Sequence, residues 1–546
     1  MWIPDTSAAR ALVLSVIVLL SAVTLLLTKQ EAPLPALLSA LAHTLILLVS
    51  ILIHVWLALE VAFWIYFLMA RQRLQKERYP SKTLSSKERI DIFWNCLHTI
   101  TDIKTWAVGW YYDAETKEHP TFDEIRRENV ALWFAWAFWH DHLDRVERIP
   151  KYKAELDWMI TTTEKHFKVI FPKGYNQRLQ CIRLNLDPVQ AVHRPLIFYV
   201  VIYLCTVMFN ALFLEAIWEF KQCQSLPGVL WGGFLSWIDR WRGHHHYHHH
   251  HPPNGKNSQV QHSVATENDN HRDKGEGHHS VVYWYRPVPD STKTPLVFIH
   301  GIGAGPLCYG EFIHRLAHLD RPMFCVELPY VSMHMVEMVP TAEETVQSIK
   351  TMLQTHGHEQ AIVVAHSLGT AVTSWLMSMA PECIAGTVMI DPICFLLHYH
   401  HVGFNFVHRI PKRPLEYILY YCASRELHIS HYISRHFQWF QTIFFVHPTS
   451  TSQPPCLPTV VEPNSPLSNA AIFLSERDGI VDSLVVATYL KERGVNAKIM
   501  PGMEHAEFLV NWKWRKHILE QVEYIGKQAD DRSSVLKSHT HTLSNL

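Results

Sequence analysis

The run Val363-Val364-Ala365-His366-Ser367-Leu368-Gly369 leaves a chain few ways to fold locally. It reads as a short apolar strand that breaks at a serine, with small side chains two positions before and two after. A sharp strand-to-helix turn that lifts a serine hydroxyl above a sheet has this pattern, because larger side chains at the flanking positions would collide as the chain reverses. Ala365 stands where glycine is the commoner choice, and its methyl group is still small enough. Ser367 is therefore a candidate nucleophile.

Two further segments supply what such a serine needs. Pro295-Leu296-Val297-Phe298-Ile299 runs into His300-Gly301-Ile302-Gly303-Ala304-Gly305, a buried-strand pattern opening onto a glycine-rich loop. Glycines let backbone N–H groups approach an oxyanion, and one such donor contributes about 3 kcal/mol to a tetrahedral transition state. The amides of Ile302 and Leu368 are the expected donors, with His300, Gly301, Gly303, Ala365 and Gly369 shaping the motif. The glycines lack the dinucleotide-binding spacing, and no phosphate-loop Lys-Ser/Thr follows. Downstream, the strand pattern Ala471–Leu474 leads to Asp478 and Asp482. A last short strand pattern precedes Gly502-Met503-Glu504-His505. His505 is the expected general base, oriented by Asp478; Asp482 and Asp391, the latter ending the strand pattern 386–391, are the alternative acids.

A serine, an acid and a histidine in that chain order, with the glycine-rich loop ahead of them, make residues from about 280 to 525 resemble the α/β-hydrolase superfamily. The resemblance implies the α/β class: a mostly parallel central sheet with flanking helices and a helical lid, on a catalytic domain at 281–525. Strands are expected near 281–286, 295–300, 323–328, 361–366, 386–391, 471–475 and 496–500. Thr341-Ala342-Glu343-Glu344 is a capping box that opens a helix to about His356. The segment 392–468 is too long for an ordinary connection and carries Phe395, Phe406, Tyr417, Phe437 and Trp439; it reads as a lid lining an acyl pocket. The resemblance implies a carboxylic ester hydrolase, lipase or esterase, that forms an acyl-enzyme and uses no metal and no cofactor. A membrane acyltransferase or thioesterase with the same residues is one alternative, and a non-catalytic scaffold of the same fold is the other. No H-x-x-x-x-D acyltransferase-like motif begins at His140 or His505.

The N-terminal half bears on location. Residues 11–28 form an uncharged apolar run, and a second spans about 36–69, interrupted by Glu60; each is long enough to cross a bilayer. Arg71, Arg73, Lys76 and Arg78 follow the second, which the positive-inside bias places in the cytosol, so residues 1–80 are an expected anchor. A third uncharged run, 195–214, either crosses as well, putting the catalytic domain in the lumen, or lies against the domain or in the interface. The rest of 81–225 is aromatic-rich and expected to be helical, with His140-Asp141-His142 at a helix end and no matching metal ligands.

From 226 to 280 the chain is polar and holds His244–His246 and His248–His251; that composition, like that of 526–546, is expected to be disordered. With 546 residues and a formal charge of −1, the chain has room for one large domain besides its anchor and offers no basic patch for nucleic acid. The ten cysteines form no C-x-x-C pair, which leans towards a reducing compartment. The expected partners are an acyl-ester lipid and an intracellular bilayer.

Overall fold

The computed structural model describes residues 34–78, 80, 82–224, 281–447 and 465–544. The run at 11–28, the histidine-rich segment and residues 448–464 of the inserted segment lie outside the described residues. The chain divides into two units, Met1–Ala70 and Arg71–Leu546. The first contains most of a helix, Leu34–Arg73, whose stretch from Leu41 on is long and apolar enough to cross a membrane. Leu45, Ile46 and Leu52 along it are all exposed.

The second unit is built on an eight-stranded sheet. Its strands are β3 (Lys221–Gln224), β4 (Val282–Arg286), β5 (Leu296–Ile299), β6 (Met323–Glu327), β7 (Ala361–His366), β8 (Ile384–Ile390), β9 (Ala470–Ser475) and β10 (Ala497–Met500). A separate antiparallel pair, β1 (Tyr111–Asp113) and β2 (Leu179–Cys181), lies outside it. The order is β10-β9-β8-β7-β5-β6-β4-β3, with β10 through β6 parallel and β4 and β3 antiparallel at one edge. The seven strands read from the sequence are all present; β3 was not foreseen, and it starts the sheet inside the segment read as helical.

Burial on both faces explains why the central strands β5 and β7 read as unbroken apolar runs. Along β5, Val297 and Ile299 enter one core and Leu296 and Phe298 the other. The first core also takes in Trp106, Trp110, Trp133 and Trp136, so the tryptophan-rich region is helical and packed. It is joined to the segment after β8 by indole bonds, Trp106 Nε1 donating to His398 O at 2.9 Å and Trp439 Nε1 to Ala137 O at 3.1 Å. The helix Ala342–Thr355 opens on the Thr341/Glu344 capping box as read.

The C-terminal expectation needs correction. A helix runs Trp512–Ser544 and so covers most of the segment expected to be disordered. Ile518, Val522, Ile525 and Ala529 form a buried stripe at helical spacing against the second core. Asp530 then meets Arg321 at 2.7 Å and accepts from Thr294 N–H at 2.8 Å. Three of the four stripe residues precede 526, so the helix is docked within the segment read as catalytic domain and carries on into the stretch whose polar composition read as disordered.

Candidate active site

The turn after β7 holds Ser367 at φ +51°, a left-handed conformation that a non-glycine residue adopts only when its surroundings impose it. Packing imposes it here. A Cβ on Gly369 would lie 2.3 Å from Ile299 O, and one on Gly301 would lie 2.9 Å from Ser367 Cβ, so both glycines are required by close approach. Ala365 is fully buried within β7. His300 is also fully buried: its Nε2 accepts from Leu328 N–H at 3.0 Å, so the proton sits on Nδ1 and is donated to Gly301 O at 2.7 Å. Burial pulls its pKa down to about 4, which keeps it neutral and structural.

The structure brings Ser367, His505 and Asp478 together. His505 Nε2 is 2.9 Å from Ser367 Oγ, and His505 Nδ1 is 2.7 Å from Asp478 Oδ2. The other carboxylate oxygen of Asp478 accepts from Ile480 and Val481 N–H at 2.7 and 3.0 Å, so its orientation is fixed by its own loop. Burial lowers the His505 pKa, but the charge and hydrogen bond of Asp478, with the charge of Asp391, outweigh it and carry it to about 9. Ile302 and Leu368 both line the cavity at Ser367. The amides on either side of Ile302 are engaged within the protein, Gly301 N–H with Tyr309 Oη at 2.9 Å and Gly303 N–H with Val331 O at 3.1 Å.

Neither alternative acid reaches the histidine by a hydrogen bond. Asp482 caps the helix Ser483–Glu492, accepting from Val485 N–H at 3.2 Å. Asp391 is fully buried and accepts from Ser475 N–H at 2.8 Å, Ser475 Oγ at 3.1 Å and Ala506 N–H at 3.1 Å. It therefore ties the strand that leads to Asp478 to the residue after His505. Burial pushes its carboxyl up, yet the hydrogen bonds and the two neighbouring imidazoles hold it below the ordinary range. His366 Nε2 stands 3.7 Å from Asp391, an electrostatic contact too long for a hydrogen bond, while its Nδ1 bonds Tyr309 Oη at 2.8 Å.

His366, Asp391 and His505 offer ligand atoms within 4.8 Å of one another, and this is the one such group among the described residues. Both His505 nitrogens are already engaged by Asp478 and Ser367, so holding a metal there would break that line. His140, Asp141 and His142 do not converge: His140 is buried, Asp141 pairs with Arg145, and His142 with Glu77.

Above Ser367 opens a cavity of about 470 Å³ with an almost wholly apolar wall. Phe406, Val407, Leu419 and Phe437 of the segment after β8 line it, as do Leu184, Phe198 and Ile202 from before the sheet. These last three were missed, since nothing in a sequence run shows that it will reach a cavity built two hundred residues later. Also unforeseen are two arginines of the inserted segment. Arg409 Nη1 donates to Gly479 O at 3.0 Å and Arg413 Nη1 to Glu504 Oε1 at 2.8 Å, each one residue from Asp478 or His505.

Residues 294–442 match the sequence model of the α/β hydrolase fold family. This unit is an α/β hydrolase fold. The match takes in the loop at Ile302 and the turn at Ser367 and ends before Asp478. No curated protein matches the chain in sequence. Many solved structures of the α/β hydrolase fold are similar to it. One, from the study of carboxylesterases of the archaeon Nitrososphaera gargenis, is 16% identical with a TM-score of 0.32, covering 46% of this chain and 96% of its own. The monoacylglycerol lipase of Paleococcus ferrophilus is 14% identical with a TM-score of 0.29, over 45% of this chain and 100% of its own. The 2-hydroxy-6-oxo-6-phenylhexa-2,4-dienoate hydrolase of a Rhodococcus strain is 18% identical with a TM-score of 0.32, over 45% and 95%.

Proposed function

We propose that this chain is a membrane-anchored serine hydrolase that cleaves carboxylic esters of acyl lipids through an acyl-enzyme. The observation that carries the reading is the Ser367–His505–Asp478 line, at 2.9 and 2.7 Å, at the foot of an apolar cavity. Ser367 Oγ attacks the ester carbonyl as His505 Nε2 takes its proton, and Asp478 stabilises the imidazolium. The amides of Ile302 and Leu368 receive the oxyanion. His505 returns the proton to the departing alcohol; a water then repeats the sequence on the acyl-serine and releases the fatty acid.

The lipid part of the reading rests on the wall of the cavity, which offers an acyl chain burial and gives a charged or sugar-like group nothing to bond. The anchor part rests on the helix Leu34–Arg73, with Arg71, Arg73, Lys76 and Arg78 assigning the following chain to the cytosol. Of the inserted segment 392–468, the described part up to 447 supplies Phe406, Val407, Leu419 and Phe437 to the cavity wall and serves as the lid.

Labelling of the purified protein with a fluorophosphonate probe tests the chemistry. Wild type is expected to label, and Ser367→Ala and His505→Ala to lose labelling while remaining folded. A folded wild type that does not label, even with lipid micelles present, overturns the catalytic reading in favour of a scaffold.

A further inference from the structure

The uncharged run at 195–214 forms the helix Leu196–Met208, continued by a wider turn to Ile217. Its two faces have different fates. Tyr199, Thr206, Asn210 and Leu214 are buried on its own unit, at 6%, 3%, 5% and 0% exposure, while Val201, Leu204, Met208 and Leu212 on the opposite face are 49%, 52%, 58% and 50% exposed. The buried face is held along its whole length. Tyr199 Oη donates to the buried Glu426 at 2.8 Å, Phe209 packs so closely on Gly310 that a Cβ there would lie 2.9 Å from its ring, and Trp218 O accepts from Arg286 Nε at 3.1 Å.

A helix crossing a bilayer is surrounded by lipid or by other membrane-embedded protein for about 30 Å. This one, about 33 Å long over its 22 residues, is strapped from end to end to the α/β unit, so crossing would drag that unit's exposed charged groups, such as Glu311, Arg315 and Glu382, into hydrocarbon. Only the outward apolar stripe is free to meet lipid. On its flank, Phe198 and Ile202 line the cavity over Ser367. Ile418 lines the same cavity and is 57% exposed, so the cavity reaches the surface beside this helix.

We infer that the helix Leu196–Ile217 lies in the plane of one leaflet and docks the catalytic unit there, with the acyl chain of a lipid entering the cavity between Phe198 and Ile418. The chain before and after the helix is then on one side of the membrane, and no third crossing occurs. The occupant of the stripe is lipid rather than a protein partner because the run is uncharged for 20 residues and its inner flank is the wall of an acyl-sized cavity.

This rests on the hydrolase reading for its route to Ser367, and the test separates the two. The full-length protein and Leu204→Glu/Met208→Glu are assayed on p-nitrophenyl acetate in solution and on a long-chain monoacylglycerol in phosphatidylcholine vesicles. Expected is a fall of tenfold or more on vesicles, with the soluble ester unchanged within twofold. Unchanged vesicle turnover overturns the inference and makes the stripe a protein-binding face; an equal fall on both substrates overturns it by assigning the positions to the fold. A readout without catalysis uses a fluorophore on Cys205, which is exposed on the same helix, with the other reactive cysteines changed to serine. Lipids brominated near the headgroup should quench it more than lipids brominated at the chain end. The reverse order, or no quenching, refutes the in-plane position. A wild type inert on both esters with shallow quenching would sink the hydrolase reading and leave the docking intact.

Discussion

Replacing Asp478 by Asn keeps the shape of the side chain and removes its charge from a site 2.7 Å from His505. The wild-type imidazole has its pKa raised to about 9, so at pH 7 about 1% of the enzyme carries the neutral base, and kcat/KM should climb with pH until about pH 9. Without the carboxylate, burial becomes the dominant influence and the pKa falls to the ordinary 6.5 or below, leaving most of the histidine neutral at pH 7. Loss of the oriented, charged partner costs on the order of 10³–10⁴ in kcat, about 4–5 kcal/mol of transition-state stabilisation. The two effects oppose each other near neutrality. At pH 9.5 the full deficit of roughly 10³–10⁴ should appear, whereas at pH 7 the hundredfold gain in neutral base trims it to roughly 10–100.

The assay is kcat/KM for p-nitrophenyl acetate between pH 6 and 10, with Asp391→Asn measured beside it. Asp391 bonds Ser475 and Ala506 and touches His505 only through its field, so that variant should move the profile less and cost about tenfold or less in rate. Its main expense is structural, about 1–3 kcal/mol for turning an amide NH₂ towards buried N–H donors. If Asp391→Asn shows the larger and more pH-dependent deficit, the acid has been misassigned. A deficit in Asp478→Asn that does not change with pH would refute the account of the histidine.

Asp482→Ala should lower stability by about 1 kcal/mol in urea and leave fluorophosphonate labelling intact, since its carboxylate caps a helix. Gly369→Ala should lower the melting temperature, at a cost of about 1–3 kcal/mol or more, because its methyl group meets the backbone oxygens of Ile299 and His300. Acid should unfold the catalytic unit early. His140 and His300 have folded pKa values drawn down by burial to about 4, against 6.5 when unfolded, so their stabilisation is complete above pH 6.5 and is lost as the pH falls towards 4. Each should remove up to about 2 kcal/mol by pH 5, visible as a falling melting temperature, and a flat profile from pH 7 to 5 would contradict their burial as neutral groups.

What the sequence disclosed and what it withheld divide along a physical line. The turn at Ser367, the loop at Ile302, the capping box at Thr341 and seven strands are local. Each is set by sterics or hydrogen bonding among residues a few positions apart, and the central strands β5 and β7, buried on both faces, advertise themselves as apolar runs. The companions of Ser367 were named by their place after a strand, a local cue, although 138 residues separate Ser367 from His505. The features that escaped are products of long-range closure. Asp391 looked like an acid because it ends a strand, and only the arrival of Ala506 and Ser475 turns it into a tie between two loops. The helix at 196–217 was ambiguous for the same reason. An apolar run reports that a surface avoids water, without saying whether lipid or the chain's own core takes water's place. Here the two halves of the helix circumference have different answers, Tyr199 and Leu214 against protein and Val201 and Leu204 outward, and a hydropathy window averages them into one. The C-terminal helix shows the converse, since the polar composition past residue 526 gave no sign that the helix docked by Ile518, Val522 and Ile525 would carry on through it. In both places composition was read where the face of the helix carried the information.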